Sequence, residues 1–258
     1  MFKGAEFVKT VCITGAASGI GMALSEAMAA EGHHVIVSDM NIEGARDLCG
    51  KLQSEGYSAE PYELDVSRQD KIDQVVLDHP EIDVLINNAG IQFVSKIEDF
   101  PADRWRLLTD VLLVGPAMLT RAVVPGMKAR NFGRIINIGS IHALVASPYK
   151  SAYVAAKHGL LGFSKVIALE TGEYDITINT ICPSYVKTPL VEKQITAQAA
   201  EHGISEDDVI NNIMLQPMPK KAFIEMEELA QSALFLMSSA ARNMTAQTLV
   251  LDGGWTAR

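Results

Sequence analysis

Val8-Lys9-Thr10-Val11-Cys12-Ile13-Thr14-Gly15-Ala16-Ala17-Ser18-Gly19-Ile20-Gly21 changes character half-way along. The first half reads as a short buried strand, the second as a glycine-rich turn, and the pattern from Met22 to Glu31 is helical. Glycines that end a strand and open a helix let the backbone come close to a pyrophosphate. The helix start then offers free N–H groups and positive dipole to the anion. Gly15, Ser18, Gly19, Ile20 and Gly21 are therefore candidate contacts to a dinucleotide. The spacing Gly-x-x-x-Gly-x-Gly departs from the common fingerprint, and a tight strand–helix turn that binds nothing is the plain alternative.

Working outward, a second strand, His34-Val35-Ile36-Val37-Ser38, ends at Asp39. A carboxylate at that strand end can accept hydrogen bonds from both adenosine ribose hydroxyls and repels a 2′-phosphate, which favours NAD over NADP. A solvated turn aspartate is the other reading. Asp65 and Val66, after the strand Ala59 to Leu64, are candidates for the adenine edge. Asn87-Asn88-Ala89-Gly90 closes the apolar run Ile82 to Ile86. Asn88, Ala89 and Gly90 suit a crevice floor where backbone meets cofactor, and equally a plain turn.

The alternation continues to the end of the chain. After the first strand (8–14), helices are expected at 19–31, 41–54, 67–77, 103–129, 150–171 and 225–238. Strands are expected at 34–38, 59–64, 82–86, 134–139, 176–181 and 247–251, with a loop-and-helix excursion over 183–215. No linker, repeat or low-complexity stretch interrupts 1–258, so one α/β domain is expected. A net charge of −9 argues against a nucleic-acid partner. Cys12, Cys49 and Cys182 lack metal-ligand spacing, and no metal is expected. The N-terminus has no secretory apolar core and no run of about eighteen apolar residues is present, so a cytoplasmic protein without membrane contact is expected.

Chemistry enters at Tyr153 and Lys157, four residues apart on one expected helix face, with Ser140 ending the run Arg134 to Gly139. A phenol holds its proton to a pKa near 10; reaching about 7 takes roughly 4 kcal/mol of differential stabilisation. A neighbouring ammonium favours the phenolate, and together with a bound oxidised nicotinamide it could supply that stabilisation, which makes a Tyr beside a Lys a candidate acid–base group for an alcohol or carbonyl. Gln92, His142, Lys150 and Gln194 fall near strand ends or in the excursion, where they could converge on a small anion such as a carboxylate. Each has a duller alternative: surface amides for the glutamines, a loop histidine bonded to backbone for His142. Lys150 stands at a helix start, where its charge opposes the dipole. Trp255, near the terminus, offers an apolar wall or a seal on a subunit contact.

In order, Thr14-Gly15-x-x-x-Gly19-x-Gly21, Asp65, Asn87-Asn88-Ala89-Gly90, Ser140, Tyr153-x-x-x-Lys157 and Pro183 through Thr188 resemble the motifs of the short-chain dehydrogenase/reductase family. The resemblance covers essentially the whole chain. It implies a single Rossmann-type α/β domain with a doubly wound seven-stranded parallel sheet, and a homotetramer. It implies that Pro183, Val186 and Thr188 also touch the cofactor. Tyr153 would be the acid–base, Lys157 would bind the nicotinamide ribose and lower the phenol pKa, and Ser140 would hold the substrate oxygen.

Within that family the chain is similar to the bacterial (R)-3-hydroxybutyrate dehydrogenases. The stretches that carry this are Gly90-Ile91-Gln92, Ile97 to Pro101, Gly133 to His142, Lys150 to Gly159, Thr188 to Ile195 and Asp252 to Arg258. The likeness implies that Gln92, His142, Lys150 and Gln194 hold a carboxylate, that Tyr185 and Trp255 pack on a small alkyl group, and that 183–215 closes as a lid. The implied reaction is (R)-3-hydroxybutyrate plus NAD to acetoacetate plus NADH. Two departures stand out. Leu112 takes the place of an Asn that the family uses to anchor a water relay, and Pro183-Ser184-Tyr185 replaces Pro-Gly-Trp. A reductase of another small 3-oxo acid, and a cofactor-binding scaffold without catalysis, are the competing readings.

Overall fold

A computed structural model of the chain describes residues 8–257, with all side chains among them except those of Leu190, Ala197, Glu201 and His202. The apolar runs become seven strands: β1 Thr10–Thr14, β2 His34–Asp39, β3 Ala59–Glu63, β4 Val84–Asn87, β5 Gly133–Ile138, β6 Ile176–Pro183 and β7 Thr248–Leu251. They pair in parallel in the order β3-β2-β1-β4-β5-β6-β7. Central β4, β5 and β6 are buried throughout, which is why they read as near-continuous apolar runs without alternation.

Helices cover both faces. α1 Gly19–Ala30 and α2 Ile42–Ser54 bury Leu24, Met28, Leu48 and Leu52 with Val11, Val35 and Val37 on one side. α3 Gln69–Asp78, α4 Ala102–Thr109, α5 Gly115–Arg130 and α6 Ser151–Glu170 lie over Cys12, Ile36, Leu85 and Ile135 on the other. α7 Pro189–His202 and a short α8 Glu206–Asp208 form the excursion after β6, and α9 Met226–Met237 returns to the first face, where Leu229, Ala233 and Leu236 join its core.

The long helix expected over 103–129 is present and runs continuously from Ala102 to Arg130. Asp110–Val114 forms a wide π-type turn between α4 and α5. Pro116 has no N–H to return to the residue one turn earlier, which favours the wider turn there. Gly115 sits against β3's exit, where a Cβ would stand 2.6 Å from the Val66 carbonyl oxygen. The stretch Ala102–Arg130 is long and apolar enough to cross a membrane by length and composition. Its Leu108, Val111, Leu112, Leu119, Val123 and Met127 are nevertheless part of the sheet's core.

β1 leads to β2 on one side and is flanked by β4 on the other, so the connections leaving β1 and β4 diverge. That divergence leaves a crevice at the carboxyl ends of the strands.

Candidate functional site

At that crevice lies a cavity of about 410 Å³. Apart from Gly21, every residue expected at the cofactor lines it, from Gly15 and Ser18 at one end through Asp39 and Asp65 to Tyr153, Lys157 and Thr188. Gly21 is the correction. It is buried at the seam of turn and helix, where a Cβ would stand 2.3 Å from the Gly15 carbonyl oxygen and 2.5 Å from Asn88 Nδ2. Its smallness serves packing.

The turn is tied from behind. Asn88 Nδ2 donates to the carbonyls of Thr14 and Gly15 (2.9 and 3.0 Å), while Thr14 Oγ1 accepts the amides of Asn88 and Ala89 (both 3.0 Å). Gly19 has φ +56°, a conformation that costs other residues. Ser18, at the N-cap of α1, makes no side-chain hydrogen bond to the first turn, which holds no acidic residue. The α1 amides at the cavity therefore keep their capacity for an anion. Asp39 is oriented by the amides of Ala17 (3.0 Å) and Asn41 (2.8 Å). A glycine-lined helix start and a fixed carboxylate one strand away suit the pyrophosphate and ribose of a dinucleotide.

Toward β5 and α6 the lining becomes reactive. Ser140 follows β5 and accepts the His142 amide on Oγ (3.1 Å), so its own proton can be given to the Tyr153 oxygen or to a ligand. Lys157 is buried in α6 and donates to the Ile138 carbonyl at 2.6 Å, with Nζ 5.8 Å from the centre of the Tyr153 ring. Burial lowers the Lys157 ammonium to about 8. The Tyr153 phenol is raised, by burial first, and a hydrogen bond with Ser140 offsets only part of that. Lys157 alone does not bring the phenol down; the expected lowering also counts on the charge of a bound oxidised nicotinamide. In the protein alone desolvation wins, because both groups sit where either charge is poorly solvated.

Beside this pair stand the residues expected at an acid group. The His142 ring lies 6.2 Å from Tyr153 and 6.0 Å from Trp255, and Tyr185 stacks on Trp255 at 6.1 Å with 23° between planes. Lys150 Nζ is 5.8 Å from the Tyr185 ring centre. Burial, with Lys150 and His158 adding to it, takes His142 down to about 4, so the imidazole is neutral near pH 7. Its buried Nε2 has no hydrogen-bond partner. Lys150 sits at the N-cap of α6 with no cap hydrogen bond, and burial lowers its pKa. Tyr149 before it has φ +67°, a strained placement for a residue other than glycine.

Gln92 is half-buried and turns Oε1 onto the Phe93 amide (3.3 Å), and Gln194 is half-buried on α7, one turn beyond the cavity residue Val191. Neither hydrogen-bonds to His142 or Lys150 among the described residues. Leu112 lines the cavity from the π-type turn and offers no polar atom. No group of three or more His, Cys, Asp or Glu among the described residues could hold a metal.

A family model for short chain dehydrogenases matches residues 9–199. The chain belongs to the short chain dehydrogenase family. It is an oxidoreductase of a family that works with nicotinamide cofactors. It is 44% identical to a D-beta-hydroxybutyrate dehydrogenase of Rhizobium meliloti, over 97% of this chain and 99% of that one. It is 41% identical to a D-beta-hydroxybutyrate dehydrogenase of Cupriavidus necator, over 97% and 98%. Among solved structures, sorbitol-6-phosphate 2-dehydrogenase from Erwinia amylovora superposes with a TM-score of 0.90 at 27% identity, covering 96% of this chain and 99% of that one.

Sequence reading missed several contributors to this dehydrogenase cavity. Met40, Ile91, Val111 and Val191 line it, and Ile138 supplies the carbonyl that holds Lys157. Their side chains are ordinary apolar ones, so only their position at strand and helix ends marks them.

Proposed function

We propose that this dehydrogenase oxidises (R)-3-hydroxybutyrate to acetoacetate, reversibly, with NAD. The observation that carries the reading is the buried, unpartnered Nε2 of His142 beside Lys150, next to Tyr153. A buried polar atom left unpaired costs about 1–3 kcal/mol, which a ligand carboxylate near both groups would relieve through charge-assisted bonds. His142 acts as a neutral hydrogen-bonding group, and Lys150 supplies the positive charge.

Ser140 donates its hydroxyl proton in a hydrogen bond to the substrate's C3 oxygen and Tyr153, as phenolate, takes the substrate's hydroxyl proton. Burial opposes that phenolate, so positive charge nearby must offset it; Lys157 contributes one such charge through its held ammonium. NAD, when bound along the glycine turn and Asp39, supplies the hydride acceptor and further positive charge. Fixing the acid group orients C3 against the reacting groups, an effect worth several kcal/mol of barrier. Gln92 and Gln194 would swing onto the carboxylate as the 183–215 segment closes as a lid. Pro183, Val186 and Thr188 would flank the nicotinamide end. Leu112 cannot anchor a water, so backbone carbonyls or another side chain would have to hold the water of any proton relay. We read the working protein as a cytoplasmic homotetramer, with Asp39 selecting NAD over NADP.

The test is NADH formation with (R)- and (S)-3-hydroxybutyrate and with longer 3-hydroxy acids. Turnover confined to the (R) short acid is expected. Turnover of a longer acid in preference would move the substrate to a homologue, and NAD binding without turnover of any acid would leave a scaffold.

A further inference from the structure

We propose that Asp252 is a positioning residue for substrate selection: its carboxylate fixes the turn that holds Trp255 against Tyr185 and His142. The inference rests on the reading of Trp255 and Tyr185 as the wall of the acid pocket. Asp252 follows β7 and is 9% exposed. Oδ1 accepts the Gly254 amide at 2.8 Å; Oδ2 accepts the Thr256 amide at 2.8 Å and the Thr256 hydroxyl at 2.7 Å. The Trp255 amide donates to the Asp252 carbonyl at 3.1 Å. One residue thus holds the backbone on both sides of the indole.

That turn is docked, not free. Gly253 and Gly254 have φ of +58° and +90°, and side chains there would meet Met218 at 3.0 Å and Pro219 at 3.2 Å. The Lys220 amide donates to the Gly253 carbonyl at 3.1 Å. The facing part of the wall is strapped to the same frame. The Ser184 amide donates to the Leu251 carbonyl (2.8 Å), the Ile224 amide to the Tyr185 carbonyl (2.9 Å), and the Ser184 hydroxyl to Met218 Sδ (3.4 Å). Tyr185 and Trp255 therefore keep their stacked geometry through backbone, and the carboxylate closes the set. Burial works against its charge, but the bonds from Thr256, Gly254 and Trp255 prevail and hold its pKa below the ordinary Asp value. An acceptor with two oxygens is required, because three donors converge and an amide would turn N–H against N–H.

The experiment uses the full chain with Trp105→Phe, so that emission reports Trp255, the other of the two tryptophans. In that background Asp252→Asn should raise KM for the acid about tenfold with kcat within threefold, leave NAD affinity unchanged, and shift Trp255 emission to the red. Thr256→Val should move KM and emission the same way by less, and Thr256→Ser, which keeps both donors, should restore the parent values. Unchanged KM and emission in Asp252→Asn overturns the proposal. So does a variant in which KM, kcat, NAD affinity and melting temperature all fall together, since that is general destabilisation. Emission is read without substrate. A parent enzyme that turns over no 3-hydroxy acid, with Trp255 still shifting in Asp252→Asn, would sink the substrate reading and leave the positioning intact.

Discussion

Replacing Gly21 by Ala separates packing from ligand contact at the glycine turn. The new Cβ would stand 2.3 Å from the Gly15 carbonyl oxygen, 2.5 Å from Asn88 Nδ2 and 2.9 Å from Ala16 Cα. Comfortable contact lies near 3.5 Å, so turn and helix must part by about 1 Å. Overpacking of that kind costs about 1–3 kcal/mol. Asn88 would also lose its bonds to the Thr14 and Gly15 carbonyls, each worth about 1 kcal/mol. The sum is about 4 kcal/mol, which at about 3 °C per kcal/mol lowers Tm by roughly 12 °C for a chain of this size. Gly19→Ala is the contrast. Its Cβ meets nothing nearer than Thr188 at 3.8 Å, so only the left-handed backbone resists, at about 1–2 kcal/mol. Because Gly19 lines the cavity, its substitution should weaken NAD binding more than it weakens the fold. Urea and thermal unfolding followed by circular dichroism give the stabilities, and calorimetric titration the affinities. A Gly21→Ala protein as stable as wild type, with NAD binding weakened, would refute the packing argument.

Further outcomes follow from the same geometry. Tyr153→Phe should drop kcat at least a thousandfold while NAD titrates normally; Lys150→Ala should instead raise KM for the acid, by tenfold or more, with kcat largely kept. His142 is the acid-sensitive group: its folded pKa of about 4 lies below the ordinary 6.5 because it is buried. Its stability contribution is complete above pH 6.5 and is lost as pH falls toward 4, by at most about 3 kcal/mol. His142→Asn should flatten the difference between urea midpoints at pH 7.5 and 4.5, and parallel losses in both proteins would count against it. Asp39→Ser removes the fixed carboxylate, so the ratio of kcat/KM for NADP to that for NAD should rise at least tenfold; an unmoved ratio would place cofactor choice elsewhere.

Much of the fold was legible because its signals are local. Apolar runs such as Val84–Ile86 and Ile135–Ile138 mark strands buried on both faces whatever surrounds them. The glycine turn advertises a backbone that must pass close to something. Tyr153 and Lys157 share a helix face by spacing alone, and Asp39 is a carboxylate at a strand end. The helix at 103–129 was legible from its apolar pattern, whereas contact with Val66 and the missing Pro116 donor decide where the π-type turn within it falls.

The amino-acid order by itself determined the alternating elements, the glycine turn between β1 and α1 and the shared helix face of Tyr153 and Lys157, since each depends on neighbours within a few residues. Only the tertiary structure decided that Gly21 is a seam, that the His142 and Trp255 rings come within 6.0 Å, and that Gln92 turns its side-chain oxygen onto the Phe93 amide. It also decided that the buried phenol of Tyr153 resists ionisation. Desolvation sums over every atom around a group, and those atoms come from strands and helices that no local stretch of sequence names.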